Sequence, residues 1–252
     1  ISLLFKEIEF IDRFEKTKQM GFNGVEFQFP YEIKASIIKE KLNKYGLTLS
    51  IFNAPPGNFK EGDRGLACLP ERKKEYIETI NTALEYAKII NGKSLHVMAG
   101  ISNVENNINH QKTYIENIKW ACDQALKNQI DILIEPINQR NIPNYFLKST
   151  DLAIELIQKI NQPNLKLLFD IFHHQIIRGD IINYIEKYHS YIGHIQIASV
   201  PNRNEPDENS EINYKYILKS LIDFKYKGWI GCEYNPLKDT ISGMTWMEKY
   251  KK

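Results

Sequence analysis

The segment DILIEPINQRNIPNYFLKSTDLAIELIQKINQPNLKLLFD, residues 131–170, contains two short apolar runs on either side of a stretch with helical periodicity. The runs at 131–135 and 165–170 have the length and the Ile/Leu content of buried strands. Between them, apolar residues recur at the spacing of one helix face: Ala153, Leu156, Ile157 and Ile160. A strand, a helix and a strand in this order predict two parallel strands joined by a right-handed crossover.

The same alternation extends over the rest of the chain. Further predicted strands are 1–5 (ISLLF), 24–29 (GVEFQF), 47–52 (LTLSIF), 94–98 (SLHVM), 191–198 (YIGHIQIA) and 229–234 (WIGCEY). Eight strand–helix units in 252 residues have roughly 31 residues each, and such units close naturally into a (β/α)8 barrel of about 250 residues. We therefore predict an α/β protein, a single-domain TIM barrel over residues 1–252.

An open, doubly wound sheet is the alternative architecture for such an alternation. That fold places a glycine-rich phosphate loop after the first strand, whereas Lys6-Glu7-Ile8 follows the run 1–5. No linker, repeat or low-complexity tract divides the chain. In a barrel, the longer loops after strands, 53–68, 98–110 and 199–211, would lie at the carboxyl-terminal face, where catalytic residues gather.

Composition restricts the classes of partner. The chain has 33 Lys and Arg residues against 31 Asp and Glu residues, a balance that argues against a nucleic-acid-binding protein. No apolar run approaches the roughly 20 residues of a membrane span. Three cysteines without a CxxC spacing indicate neither a disulfide framework nor a zinc site, so we expect a cytoplasmic protein. The opening ISLLF has no basic leader, so we expect no signal peptide and a chain that begins within its first strand.

Polar residues lie at the ends of four successive predicted strands: Glu135, Asp170, Gln196 and Glu233. Strand ends converge at the mouth of a barrel, and carboxylates brought together there repel one another unless a cation neutralises them. All four side chains offer oxygen, which suits Mg²⁺ or Mn²⁺ better than Zn²⁺. Each acid taken singly could instead cap a helix or pair with a rim cation, but the repetition over four strands favours a metal site.

Several segments, in chain order, resemble the hydroxypyruvate isomerases and the similar 2-oxo-tetronate isomerases, within the xylose-isomerase-like barrels. They are 21–31 (GFNGVEFQFPY), 50–57 (SIFNAPPG), 95–100 (LHVMAG), 169–173 (FDIFH), 194–198 (HIQIA), 201–206 (PNRNEP), 211–214 (EINY) and 228–234 (GWIGCEY). The resemblance implies a divalent metal and the interconversion of an α-hydroxy ketone with an α-hydroxy aldehyde. It places the metal ligands at Glu135, Asp170, Gln196 and Glu233, and the two proton-transferring glutamates at Glu135 and Glu233.

Elementary chemistry agrees with these assignments. Moving a carbonyl group between neighbouring carbons requires the removal of a proton from one carbon and its return to the other. A metal that binds the carbonyl and hydroxyl oxygens acidifies the C–H bond and stabilises the enediolate. A glutamate on each side can then act as base and acid, and our hypothesis gives these roles to Glu135 and Glu233. A hydride shift is the other route open to such barrels.

Four further residues are candidates for substrate binding: Arg203, His173, His96 and Glu26. Arg203, in the loop after the run 191–198, could hold a substrate carboxylate in a bidentate pair, or form a rim salt bridge instead. Either histidine could bond a substrate oxygen or a ligating carboxylate, and Glu26 could orient His96. His194 shares its side of the strand with Gln196, one layer deeper. Aromatic and polar wall residues are expected at Phe52, Asn53 and Trp229.

Other functions remain open at this level. Sugar 3-epimerases share the barrel but typically have histidine as the fourth ligand, where position 196 is Gln. Barrel AP endonucleases hold a zinc cluster with many more histidines and bind DNA. A non-catalytic sugar-acid binding protein would gain from losing carboxylates that repel its ligand. The leading prediction is an aldose–ketose type isomerase with a small hydroxy-oxo acid as substrate, no nucleic-acid or membrane partner, and a possible homo-oligomeric state.

Overall fold

The computed structural model describes residues 1–102 and 108–250 of the chain. Within these ranges, seven parallel strands form a single sheet in chain order: β1 Gly24–Phe27, β2 Thr48–Asn53, β3 Ser94–His96, β4 Asp131–Ile134, β5 Leu165–Asp170, β6 Ile192–Ile197 and β7 Ile230–Cys232. Each lies within two residues of its predicted bounds. The sheet curls into a nearly closed barrel that alternates with helices, as the periodicity predicts. Residues 251–252, within the predicted domain range, lie outside the described part.

The helices between the strands carry the 3.6-residue periodicity seen in the sequence. They are α1 Arg13–Gln19, α2 Ala35–Tyr45, α3 Lys73–Ile90, α4 Ile108–Leu126, α5 Thr150–Ile160, α6 Ile171–Ile177, α7 Ile181–Tyr188, α8 Tyr214–Asp223 and α9 Thr240–Gly243. Short 3₁₀ helices span Phe10–Asp12, Phe59–Glu61, Pro70–Arg72, His189–Tyr191 and Met244–Tyr250. Ser149 caps α5, since its hydroxyl accepts a hydrogen bond from the Leu152 amide at 3.1 Å.

The predicted strand at 1–5 is wrong, because the described residues form no ladder there. Residue 1 does lie beside β1, where its backbone nitrogen donates to the Glu26 carbonyl. The next hydrogen bond to this segment is not one between backbones, because the Gln28 amide donates to the side chain of Ser2, at Oγ, over 2.8 Å. Phe5 then turns into the left-handed region with φ +58°, and its amide donates to Thr240 Oγ1 at 2.7 Å. The segment therefore covers the seam between β7 and β1 without extended pairing.

The interior of the barrel has an apolar layer beneath a polar one. Ile51, Leu133 and Leu168 form a small buried cluster separate from the main core. Side chains two residues apart share one face of a strand, so Glu135 follows Leu133 and Asp170 follows Leu168 towards the carboxyl ends. The apolar cluster thus forms a floor, and the polar side chains above it lie at the mouth.

The main core lies between the outer faces of the strands and the helices that surround them. On β4, for example, Ile132 and Ile134 are fully buried in this cluster, and on α5 the predicted apolar stripe is buried with them. Such burial on both faces of the sheet is the usual condition of parallel strands. Among the described residues, no helix combines the length and the hydropathy needed to cross a membrane.

Candidate active site

The predicted site residues meet at the carboxyl ends of the strands. Asp170, the last residue of β5, is the register partner of Gln196 on β6, while Glu135 and Glu233 directly follow β4 and β7. A cavity of about 120 Å³ opens at this end of the barrel. Its walls include most of the predicted site residues: His96, Glu135, His173, Gln196, Arg203 and Glu233.

Glu135, Asp170 and His173 form a group of potential metal ligands. All three are buried, and one potential ligand atom from each lies within 4.8 Å of the others. His173 Nε2 is 3.8 Å from Glu135 Oε1 and 3.6 Å from Asp170 Oδ2. Asn138 contacts the other ring nitrogen, Nδ1, through its side-chain nitrogen at 2.7 Å. This contact turns Nε2 of His173 towards the carboxylates.

Arg203 reaches into the site from the loop after β6 and joins two of the carboxylates. Its Nη2 donates to Asp170 Oδ2 at 2.9 Å and to Glu233 Oε2 at 2.5 Å. Nε donates to the Glu233 carbonyl at 3.2 Å, and Nη1 to His173 Nε2 at 3.2 Å. The backbone of Arg203 is left-handed, with φ +58°, which is uncommon for a long side chain. The guanidinium contacts stabilise that conformation.

Two carboxylates, those of Glu26 and Glu233, lie on the side of the barrel next to β1. Glu26 accepts a hydrogen bond from Gln196 Nε2 at 3.1 Å, and its other oxygen lies 2.7 Å from His194 Nε2. The Glu26 carboxylate fits because β7 carries Gly231 opposite, where a Cβ would lie 2.1 Å from Glu26 Oε2. Gln28 Nε2 donates to Glu233 Oε1 at 3.1 Å. Glu26 on β1 and Gln28 just after it thereby orient Gln196 and Glu233.

Burial and mutual repulsion control the protonation of the acids. Burial raises the pKa of Glu135 well above its ordinary value, and the charges of Glu233 and Asp170 raise it further. Burial raises the pKa of Glu233 to about 7, with Arg203 opposing the shift and Glu26 adding to it. Burial also raises the pKa of Asp170 against the attraction of Arg203. Burial also acts to raise the pKa of Glu26, but the hydrogen bonds from His194 and Gln196 and nearby positive charge together outweigh it, so this pKa is lowered.

The histidines of the cavity are held neutral. Burial lowers the pKa of His96 to about 3, and burial together with the charge of Arg203 lowers the pKa of His173 well below its ordinary value. His96 Nε2 is 3.6 Å from Glu135 Oε2 and has no hydrogen-bond partner among the described residues. A neutral imidazole can both accept and donate a proton.

The donor set suits a divalent cation. Glu135 Oε1 and Gln196 Oε1 are buried and have no hydrogen-bond partner in the described part of the chain, which is costly unless another group satisfies them. Four carboxylates, those of Glu26, Glu135, Asp170 and Glu233, lie near the guanidinium of Arg203, which forms ion pairs with two of them, Asp170 and Glu233. Both observations are those expected where a cation binds, and the group Glu135, Asp170 and His173 has the proximity to hold it.

Comparison with known proteins identifies the family. Residues 14–250 match the family model described as xylose isomerase-like TIM barrel. The chain belongs to this family. Among its relatives, a 2-oxo-tetronate isomerase from Cupriavidus necator is 41% identical, over 99% of this chain and 96% of that protein. A hydroxypyruvate isomerase from Escherichia coli is 38% identical, over 100% of this chain and 97% of that protein.

A solved structure gives the same result for the fold. The crystal structure of an AP endonuclease, family 2, from Brucella melitensis has 40% sequence identity and a TM-score of 0.97, covering 100% of this chain and 97% of that one. The prediction of a TIM barrel is therefore confirmed. The predicted resemblance to the two isomerase groups is confirmed as well, and with it an enzyme of the isomerase class within the xylose isomerase-like family.

The structure of this xylose isomerase-like barrel differs from the sequence prediction in its details. The sequence prediction lacks three site contacts: that of Gln28 with Glu233, that of Asn138 with His173, and those of the Arg203 guanidinium with the site's own carboxylates. Of the expected wall residues, Asn53 lines the cavity. Phe52 is instead fully buried in the core, and Trp229 precedes β7, where it packs over Gly24 at the opposite end of the barrel. The sequence does contain a signal for this difference. Trp229 precedes the amino end of β7 and Glu233 follows its carboxyl end, so the two residues lie at opposite ends of the barrel.

Proposed function

We propose that the chain isomerises a small hydroxy-oxo acid by moving a carbonyl group between neighbouring carbons. The substrate is hydroxypyruvate, which gives tartronate semialdehyde, or the four-carbon acid 2-oxo-tetronate. The names of the relatives from C. necator and E. coli support this substrate class. The observation that carries the proposal is that Glu135 and Glu233 border one cavity of about 120 Å³, each with a raised pKa.

Glu135 and Glu233 are the proposed proton-transferring groups. One carboxylate removes the proton from the hydroxyl-bearing carbon, and the other carboxylic acid returns a proton to the former carbonyl carbon. A raised pKa suits both tasks, because a group that titrates near neutral pH is populated as base and as acid. The proton on the substrate hydroxyl must also move to the neighbouring oxygen, and His96, neutral and without a partner at Nε2 among the described residues, is the candidate to relay it.

The proposed metal site consists of Glu135, Asp170, Gln196 and Glu233, as the sequence predicts, with His173 added by its proximity. Oxygen donors dominate this set, which favours Mg²⁺ or Mn²⁺. A bound divalent cation would acidify the substrate C–H bond and stabilise the charge of the enediolate. Arg203 holds Asp170 and Glu233 in position, and Gln28 and Asn138 orient Glu233 and His173. A cytoplasmic location and a homo-oligomeric state stay predictions.

Activity after metal removal tests the proposal. Protein stripped with a chelator is assayed with hydroxypyruvate and 2-oxo-tetronate separately, before and after addition of Mg²⁺ or Mn²⁺. We expect turnover of one acid to return with the metal, and Glu135→Gln and Glu233→Gln each to lower kcat by about 10²-fold or more, because each removes a proton-transferring group. The matched control is Glu155→Gln, an exposed change on α5. Folded, metal-loaded protein that turns over neither acid would refute the isomerase and favour a sugar 3-epimerase.

A further inference from the structure

We propose that Arg64 binds the carboxylate group of the substrate at the rim of the cavity. This inference rests on the proposed function, because it concerns the acid group of that same substrate. It adds a specificity residue from the loop between β2 and α3, which the sequence alone does not single out. Arg64 lines the same cavity as Glu135 and Glu233.

The guanidinium of Arg64 has a free edge of the right shape. Its Nη1 donates to the carbonyl oxygens of Phe59 and Asp63, at 3.1 and 2.7 Å. Among the described residues, Nε and Nη2 have no hydrogen-bond partner. These two nitrogens form the side of a guanidinium that donates two parallel hydrogen bonds to one carboxylate. Cζ of Arg64 lies over the ring of Phe59, 3.9 Å from its centre, and this contact restrains the group.

The charge of Arg64 has no ion-pair partner within the described ranges, although, alongside the larger effect of Arg72, it helps to lower the pKa of nearby Asp63. The neighbouring acid, Asp63, pairs with Arg72 at 2.6 Å, and Arg64 itself forms no ion pair there. Arg203, the residue that the sequence predicts for carboxylate binding, donates through Nε, Nη1 and Nη2 to groups of the site itself. Arg64 therefore has a free two-nitrogen edge, Nε with Nη2, whereas each nitrogen of Arg203 already has a partner in the site.

The backbone around Arg64 is held rigidly against the next loop. The Gly100 amide donates to the Arg64 carbonyl at 3.0 Å. Gly65, with φ +98°, approaches so closely that a Cβ would lie 2.2 Å from the Met98 carbonyl oxygen, and its amide donates to Pro56 at 2.9 Å. A side chain on such a fixed loop loses little conformational freedom when it binds a ligand.

The electrostatics of the cavity favour a positive charge at its rim. An acidic substrate that enters a mouth rich in carboxylates is repelled by them. Arg203 lies among those carboxylates and is neutralised by Asp170 and Glu233. Arg64, on the loop side of the same cavity, attracts the acid group and leaves the carbonyl and hydroxyl carbons directed towards Glu135 and Glu233.

Glycerate, a three-carbon hydroxy acid that lacks the oxo group, is the probe. Its Kd is measured by calorimetry with wild-type protein, Arg64→Met and Arg64→Lys, and kcat and KM are measured with hydroxypyruvate and 2-oxo-tetronate. We expect Arg64→Met to raise the Kd of glycerate and the KM of the turned-over acid by about 10- to 100-fold, with a smaller change in kcat. Arg64→Lys should recover part of the loss. Arg140→Met, an exposed change in the loop after β4, controls for net charge.

The outcomes separate this inference from the proposed function. The inference is overturned if Arg64→Met binds glycerate as tightly as wild type. It is also overturned if kcat of this variant falls as strongly as its KM rises and Arg64→Lys recovers neither. The isomerase can stand in both cases. Wild-type protein that binds glycerate through Arg64 but turns over neither acid supports the inference and refutes the isomerase. Wild-type protein that does not bind glycerate overturns the inference.

Discussion

Replacement of Glu233 by glutamine should change how the stability of the protein depends on pH. In the folded protein, burial raises the pKa of Glu233 from 4.5 to about 7, despite the opposing charge of Arg203. In the unfolded chain the group returns to its ordinary value. Between these two pH values the folded state keeps a proton that the unfolded state has released, so the free energy of unfolding falls as pH rises. Converted at about 1.4 kcal/mol per pKa unit, the whole loss is about 3.5 kcal/mol, of which about 3 kcal/mol falls between pH 4.5 and pH 8.

Urea unfolding at pH 4.5 and pH 8, with chelator present throughout, measures this effect. Glutamine keeps the size of the side chain but does not titrate, so Glu233→Gln lacks the loss. We expect the free energy of unfolding of the variant, relative to wild type, to be about 3 kcal/mol higher at pH 8 than at pH 4.5. Glu155→Gln, on the exposed face of α5, controls for the removal of a carboxylate. A relative stability that changes by less than ~0.5 kcal/mol between the two pH values would refute the reasoning.

Two further predictions concern buried charges. Arg203→Met leaves Asp170 and Glu233 without their shared cation, so we expect a loss of about 3–5 kcal/mol in unfolding free energy at pH 8. The loss should be smaller at pH 5, where the carboxylates take up protons, and unchanged urea midpoints would contradict this. Burial lowers the pKa of His174 to about 4 from 6.5, so the wild type should lose up to ~3 kcal/mol as pH falls through this window. His174→Gln should abolish that loss; acid unfolding curves that stay parallel for the two proteins would disprove it.

The parts of the fold that the sequence predicts are those set by periodicity. The strand and helix patterns around 131–135 and 165–170 give the parallel barrel, because strand runs and helical spacing are local properties. The segment 1–5 has the composition of a strand but does not form one. The conformation of this segment depends on Phe5, whose amide donates a hydrogen bond to Thr240, near the other end of the chain. A local sequence pattern cannot predict such a distant contact.

The sequence predicts those residues of the candidate site that lie at strand ends, because strand ends converge at the mouth of a barrel. Glu135 and Asp170 meet as expected because their strands are neighbours in the sheet. The partners of Arg203 were not predictable, since a residue in a long loop can point towards the rim or into the mouth, and only the packing of the loop decides. Gln28 and Asn138 carry no sequence signal of their own, because amide side chains are common on surfaces and acquire a role here only through their contacts with Glu233 and His173.

Uptake of deuterium from solvent tests the central claim most directly. Hydroxypyruvate and 2-oxo-tetronate are incubated in D₂O with the metal-loaded protein, and the carbon-bound hydrogens of substrate and product are followed by NMR beside a protein-free sample. Proton transfer through Glu135 and Glu233 predicts deuterium at the carbon that receives the proton, and loss of this signal in Glu135→Gln and in Glu233→Gln. Turnover without deuterium uptake would indicate a hydride shift and contradict the roles of the two glutamates, and the absence of both turnover and exchange would contradict the isomerase itself.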